Sequence, residues 1–240
     1  GWGHEEAEDF LIPEASNYFN QLSSSSTNLE VDVYSSITIP EYSMDYYGSD
    51  FGVQRDSSED GTHLPKILAS EVVNDQMDVV DWGKYDLDGD GWVDRLLILH
   101  TSIGQEEGGN SNRIWSHFTN LDEPIDLPNG LKIGHYTMAS LGTGESGFGT
   151  MIHEMLHQLG AYDLYPSHGS INIHPWKGVG DWDIMANGNW NGGGKWPSLP
   201  TASTVFEIGG NTSIEIGNEW MKSETQGCIG PQYELESISK

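Results

Sequence analysis

The sequence predicts an α+β domain: a twisted sheet backed by helices, one helix carrying reactive groups, and a small irregular C-terminal lobe. Three observations predict it. Phe148, Met151, Ile152, Met155, Leu156 and Leu159 recur at the spacing of one helical stripe. Leu29, Val31 and Val33 alternate with Glu30, Asp32 and Tyr34, and the runs Arg95 to His100 and Leu131 to Met138 also read as strands. From Asp163 onward glycine and tryptophan (Trp176, Trp182, Trp190, Trp196) crowd a stretch without periodicity. At 240 residues the chain can bury the core of one catalytic domain, or of two lobes, 1–162 and 163–240, that share a single cleft.

In chain order, Phe10, Leu11, Ala15, Tyr18, Phe19 and Leu22 fit a first helix that Ser23 to Ser26 ends. Strands follow over Leu29 to Tyr34 and Ile37 to Ile39, where Pro40 stops them. Tyr42, Tyr46 and Tyr47 mark a loop. Leu64, Ile67, Leu68, Val72 and Val73, with Pro65 near the start, predict a second helix within Thr62 to Met77, packed on the sheet opposite the cleft. Gly104 to Asn110 reads as a flexible loop and Ile114 to His117 as renewed order, with Trp115 in the core and His117 a hydrogen-bonded structural histidine at the cleft. Gly192 to Gly194 reads as mobile. Val205 to Ile208 and Ser213 to Ile216, joined by Gly209-Gly210-Asn211, predict a closing hairpin.

Charge narrows the partners. Ten Lys plus Arg against 37 Asp plus Glu leave a net charge of −27, which disfavours nucleic acid and anionic membrane surfaces. The longest apolar run is Leu96 to Leu99, far short of the ~20 residues of a membrane helix, so no membrane insertion is expected and the chain reads as a soluble monomer. A lone cysteine, Cys228, allows no intrachain disulfide. The opening Gly1-Trp2-Gly3-His4-Glu5-Glu6 lacks a basic and apolar leader, so any signal peptide or propeptide is expected to have been removed or left out.

The chemistry gathers in residues 145–163. His153 and His157 lie one helical turn apart and project together, opposite the apolar stripe, close enough for one ion. This is the HExxH arrangement, suited to a catalytic zinc with an open position for water, and Glu154 is the base for that water. Gly160 is placed to end the helix in a left-handed turn that brings Asp163 back toward the histidines. Asp163 ranks first as third ligand; Asp181, Asp183, His168, His174 and Glu207 remain alternatives. Asp86, Asp88, Asp90 and Asp94 at alternate positions, with the Trp92 carbonyl and a glycine in sixth place, describe a loop for at least one structural calcium. The twelfth position of an EF-hand would be Glu and here is Leu97, so the loop reads as a cap on the following strand.

HExxHxxGxxD followed by Gly178-Val-Gly-Asp-Trp-Asp-Ile-Met-Ala-Asn-Gly188 resembles the metzincin clan of zinc endopeptidases. His157 to Tyr165, the Met185 run, Ile114-Trp115-Ser116-His117 and the segment 81–94 resemble more closely the immune-inhibitor-A-like family of secreted bacterial metallopeptidases. The resemblance implies a metzincin-like domain with a mostly parallel sheet, one catalytic zinc on His153, His157 and Asp163, and Met185 in a turn beneath it. It also implies secretion, protein or peptide substrates, and an edge strand at Gly134, His135, Tyr136, Thr137, Met138 and Ala139 that pairs with substrate. Where some metzincins carry an oxyanion-holding Tyr this chain has Asn187, which leaves Tyr165, His168 and Trp190 for that part. Two readings compete: a calcium-dependent binding module with a structural metal and no hydrolysis, and a zinc hydrolase with Glu207 as third ligand.

Overall fold

A computed structural model describes residues 3–23, 29–166, 178–209, 221–223 and 227–229. The first helix is a longer rod than its apolar stripe predicts: α1 (His4–Asp9) runs through a π-helical stretch, Phe10–Ala15, into α2 (Ser16–Leu22). Pro13, without an N–H, sits where the turn widens. Phe10, Leu11, Ala15, Tyr18, Phe19 and Leu22 face the core.

The segment Leu29 to Ile39 is extended but joins no sheet, which corrects the strands expected there. Leu29, Val31 and Val33 do pack on the core, while Ile37 and Ile39 are exposed. Its carbonyls are taken by side chains of the rod instead of a neighbouring strand: His4 Nε2 lies 2.9 Å from Val33 O, and Ser16 Oγ donates to Leu29 O at 3.2 Å. The tyrosine loop closes as a single helical turn, α3 (Met44–Tyr47), whose buried Tyr47 hydroxyl donates to Glu71 at 2.8 Å. Glu71 belongs to α4 (Leu64–Asp75), with Pro65 in the first turn, where its missing N–H costs nothing.

The main sheet has three strands, β1 (Leu97–His100), β2 (His117–Asp126) and β3 (Lys132–Ser140), in the order β1-β3-β2. It is mixed: β1 runs parallel to β3 with Leu97 opposite Thr137, and β2 runs antiparallel to β3 with His117 opposite Met138. Two expectations are corrected here. The sheet is not mostly parallel, and Gly134 to Ala139 lie in its central strand, where Thr137 and Met138 are paired on both sides. Order along the chain favoured an edge; the parallel return of β1 closes it. The outer edge of β2 has no strand paired to it among the described residues.

Alternation along β3 sends Tyr136 and Met138 toward α4 and Thr137 and Ala139 toward α5 (Phe148–Gln158). On the α4 side Leu68 and Ala69 pack with Ile98, Tyr136 and Met138. On the α5 side Phe148, Met151, Ile152 and Leu156 meet Ala139, Leu141, the N-terminal rod, Ile184 and Met185. Met151, Ile152 and Leu156 are fully buried, each stabilising the helix by about 1.5–3 kcal/mol.

Residues 178–209 run in short turns that end in α6 (Ala202–Glu207). Val205 to Ile208 are therefore not a strand; Thr204 and Val205 point inward as a helical face, while the partner run Ser213 to Ile216 lies outside the described residues. A hairpin does form farther on, β4 (Met221–Ser223) with β5 (Gly227–Ile229).

Candidate active site

Helix α5 is held at both ends. Its first-turn Gly149 amide donates to Gly194 O at 2.8 Å, so the run Gly192 to Gly194, expected to be loose, supplies a helix cap. A Cβ on Gly149 would strike the Asn189 carbonyl, so only glycine fits. At the other end Gly160 takes φ 98°, with Gly160 N donating to His157 O at 3.0 Å and Ala161 N to Leu156 O at 3.1 Å. Leu164 N then donates to Met185 O at 2.7 Å, which pins the returning chain against the 178–188 turn.

These ties orient the donors. His153 Nδ1 faces Ile184 O and His157 Nδ1 faces Ala161 O, each at 2.8 Å. A carbonyl only accepts, so each Nδ1 carries the proton and each Nε2 is left with a lone pair. The two Nε2 atoms lie 3.2 Å apart, and Asp163 Oδ1 lies 3.2 Å from the first and 3.3 Å from the second. Three acceptors meet in a near-equilateral triangle, and Asp163 Oδ1 is buried without a hydrogen-bond donor. Bonds of ~2.0–2.1 Å in tetrahedral geometry separate ligands by roughly 3.3 Å, so a zinc ion fits this face. Burial works against ionisation of Asp163, but the facing imidazoles hold its carboxyl well below the usual range.

Glu154 stands beside the triangle and outside it. It is 9% exposed, and its Oε2 accepts the Phe118 amide at 2.9 Å. Burial pushes its carboxyl up to about 7, against the pull of His153 and His157. The Thr137 hydroxyl donates to Glu154 O at 3.3 Å, tying the helix to the central strand. A cleft of about 310 Å³ opens here, lined by Trp115, Ser116, His117, Phe118, Glu154, His157, Asp163 and Tyr165.

The other candidate residues fall in several places. Asp183 is fully buried, with Oδ1 accepting Met185 N at 2.7 Å and Oδ2 accepting Thr201 N at 2.7 Å and Thr204 Oγ1 at 2.8 Å, and its oxygens do not join the triangle. Asp181 and Glu207 are exposed, and His168 and His174 lie outside the described residues. Met185 is fully buried, next to the carbonyl that fixes His153. Tyr165 stacks on the His153 ring at 6.3 Å and lines the cleft, whereas Trp190 does not line it. Trp115 is only half-buried, beneath the Arg55 guanidinium. His117 Nδ1 donates to Trp115 O at 2.7 Å.

Asp86, Asp88 and Asp90 place carboxylate oxygens within 4.8 Å of one another. Backbone amides occupy part of this set: Gly91 N donates to Asp86, Asp90 N to Asp88 and Trp92 N to Asp90, while Asp94 turns away to the Leu87 amide at 2.7 Å. Asp86 Oδ1 is buried and unpartnered.

Sequence reasoning missed the partners that orient the donors, namely the carbonyls of Ile184 and Ala161 and the amide of Phe118. Backbone groups leave no trace in residue identity. Gly104 to Asn110, expected to be flexible, makes a helical turn whose ends are bonded: Gln105 N donates to Ile114 O, and Glu106 accepts Ser116 N.

Two converging imidazole nitrogens, a carboxylate returned by a glycine turn and a buried carboxyl alongside are the parts of a metal-dependent hydrolase centre. The chain belongs to the immune inhibitor A peptidase M6 family, whose catalytic-domain model matches residues 5–211. It is 26% identical over 236 residues to immune inhibitor A of Bacillus thuringiensis subsp. alesti, covering 84% of this chain and 33% of that protein. It is 29% identical over 180 residues to the pre-pro-metalloprotease PrtV of Vibrio cholerae serotype O1, covering 69% of this chain and 17% of that protein. The chain thus spans a third or less of the length of these relatives. No helix among the described residues is long and apolar enough to cross a membrane.

Proposed function

We propose that this chain is the catalytic domain of a secreted zinc endopeptidase of metzincin type that cleaves proteins or peptides. The observation that carries the reading is the triangle of His153 Nε2, His157 Nε2 and Asp163 Oδ1, three metal-ligating atoms 3.2 to 3.3 Å apart. Zinc held by His153, His157 and Asp163 would supply a Lewis acid for the water and the scissile carbonyl. Glu154 takes the proton of the attacking water on its carboxylate and returns it to the leaving amine nitrogen. The Phe118 amide keeps that carboxylate aimed at the cleft. The hydroxyl of Tyr165, a residue that lines the cleft beside His153, is the candidate donor for the oxyanion. Because β2 carries Phe118 beside Glu154 and has no strand on its outer edge among the described residues, the substrate strand is assigned to β2 and not to Gly134 to Ala139.

In this reading residues 1–162 and 163–240 form two lobes about one cleft, Met185 floors the zinc, and the protein works as a monomer. The loop Asp86 to Asp94 is assigned a structural calcium, supported by the three clustered carboxylates and the unpartnered Asp86 Oδ1. The test is metal content together with casein hydrolysis. Activity should vanish on zinc chelation and return with zinc; hydrolysis undiminished in metal-free protein would refute the reading.

A further inference from the structure

Asp56, His63 and His117 meet where the 51–63 segment folds onto β2, and each offers one ligand atom within 4.8 Å of the others. We propose that these three side chains hold a second divalent metal ion of the zinc class, separate from the His153 centre and bound at the wall of the same cleft.

The residue types suit such an ion, two imidazoles and one carboxylate being a borderline-metal set. The carboxylate is built in. Asp56 is 1% exposed, and its backbone sits at φ 49°, a left-handed conformation that costs a non-glycine residue free energy and that surrounding contacts must enforce. Those contacts are its amide donating to Asp50 Oδ1 at 3.1 Å, its carbonyl accepting Leu64 N at 2.8 Å, and its Oδ2 accepting Trp115 N at 3.0 Å. Its other oxygen, Oδ1, is buried with no hydrogen-bond partner. The adjoining Arg55 is engaged elsewhere, its guanidinium 3.4 Å above the Trp115 ring.

Both imidazoles keep a nitrogen for the ion. His63 precedes α4 and makes no capping bond there, and its Nδ1 is buried and unpartnered. His117 gives its Nδ1 proton to Trp115 O, so Nε2 keeps the lone pair, with the Tyr136 hydroxyl 3.1 Å away as the competing donor. Asp56 Oδ1 and His63 Nδ1 are thus both buried polar atoms without a hydrogen bond, which a bound ion would satisfy. Separations of up to 4.8 Å exceed the roughly 3.3 Å edge of a zinc tetrahedron, so the ligands must draw in. Rotation of half-buried His63 supplies that movement. The ion would clamp the segment before α4 to the start of β2, one residue from the Phe118 amide that holds Glu154.

The test is zinc stoichiometry of the full chain, stripped by chelator, reloaded with zinc under excess calcium to mask the aspartate loop, and counted by mass spectrometry after dialysis. Native protein should hold two zinc ions, His63→Gln and Asp56→Asn one each, and His153→Gln one. Loss of a ligand should weaken the second ion by on the order of a hundredfold or more. His63→Gln removes no hydrogen bond seen in the fold, so it stays folded even if Asp56→Asn does not. A native chain holding one zinc that His153→Gln abolishes would overturn the proposal and leave the peptidase reading intact, as would His63→Gln holding as much zinc as native. Retention of one zinc by His153→Gln and its loss on adding His63→Gln supports the proposal independently of whether the protein cleaves peptides.

Discussion

Replacing Asp183 with alanine should cripple the fold and the metal centre together. Its carboxylate is fully buried and accepts from Met185 N, Thr201 N and Thr204 Oγ1. Removing it strands two backbone amides and a hydroxyl, each costing about 1–3 kcal/mol. Relief of the buried charge offsets part of this, so the net loss is about 3–6 kcal/mol, a large share of the ~5–15 kcal/mol that holds a domain together. At roughly 2–4 °C per kcal/mol for a chain of this size, the melting temperature should fall by roughly 6–24 °C. Asp183 also shapes the turn whose Ile184 carbonyl takes the His153 Nδ1 proton, so zinc affinity should drop roughly 10–100-fold in protein that still folds. Thermal melts of metal-free protein and zinc competition against a chelator measure both. A variant melting within about 3 °C of native, with native zinc affinity, would show that the carboxylate does not support the turn.

Glu154→Ala should keep zinc and lose about 10²–10⁴-fold in peptidase turnover; a variant with most of its activity would remove Glu154 as the base. Asp163→Ala should lose zinc affinity and activity together, whereas Asp163→His should keep zinc with a shifted pH profile; native zinc content in Asp163→Ala after chelator dialysis would exclude it as a ligand. Calcium should raise the melting temperature of metal-stripped protein, by about 2.7 kcal/mol of stability at a hundredfold excess over the dissociation constant, and no response would rule out the Asp86 to Asp94 loop. Burial pushes Glu107 up to about 7, and both its oxygens lie near Thr143 and Thr150 without meeting hydrogen-bond geometry. A folded-state value above the unfolded one contributes stability that is full below the unfolded value and lost as pH rises through about 7. Glu107→Gln should therefore stabilise by about 1–2 kcal/mol near pH 8, after discounting for solvent screening, and by nothing near pH 4, as melts at the two pH values will tell.

What could be read in the sequence was whatever has a local period. The stripe from Phe148 to Leu159 placed α5 and set its two histidines on one side, because helical geometry alone decides which residues share a face. The runs at Leu64 to Val73, Arg95 to His100 and Leu131 to Met138 likewise became α4, β1 and β3. What stayed hidden was spatial order. Nothing in Gly134 to Ala139 says that a parallel neighbour closes one side and an antiparallel one the other. Val205 to Ile208 carries β-branched residues, yet Thr204 and Val205 are buried as a helical pair, since packing overrides propensity in so short a run. Asp56, His63 and His117 share no spacing that chemistry requires, and only the fold brings them together.

During synthesis the helix bearing the two histidines emerges from the ribosome well before the parts that finish it. Tyr18 waits for the carbonyl of Ser198, 180 positions later, and the Gly149 amide waits for Gly194. His153 has no acceptor for its Nδ1 proton until Ile184 has left the tunnel. Because domains fold as units, a nascent chain carries both imidazoles without the supports that turn them into a centre. The two imidazoles are therefore set in place only after the segment from Ile184 to Ser198 has joined the helix.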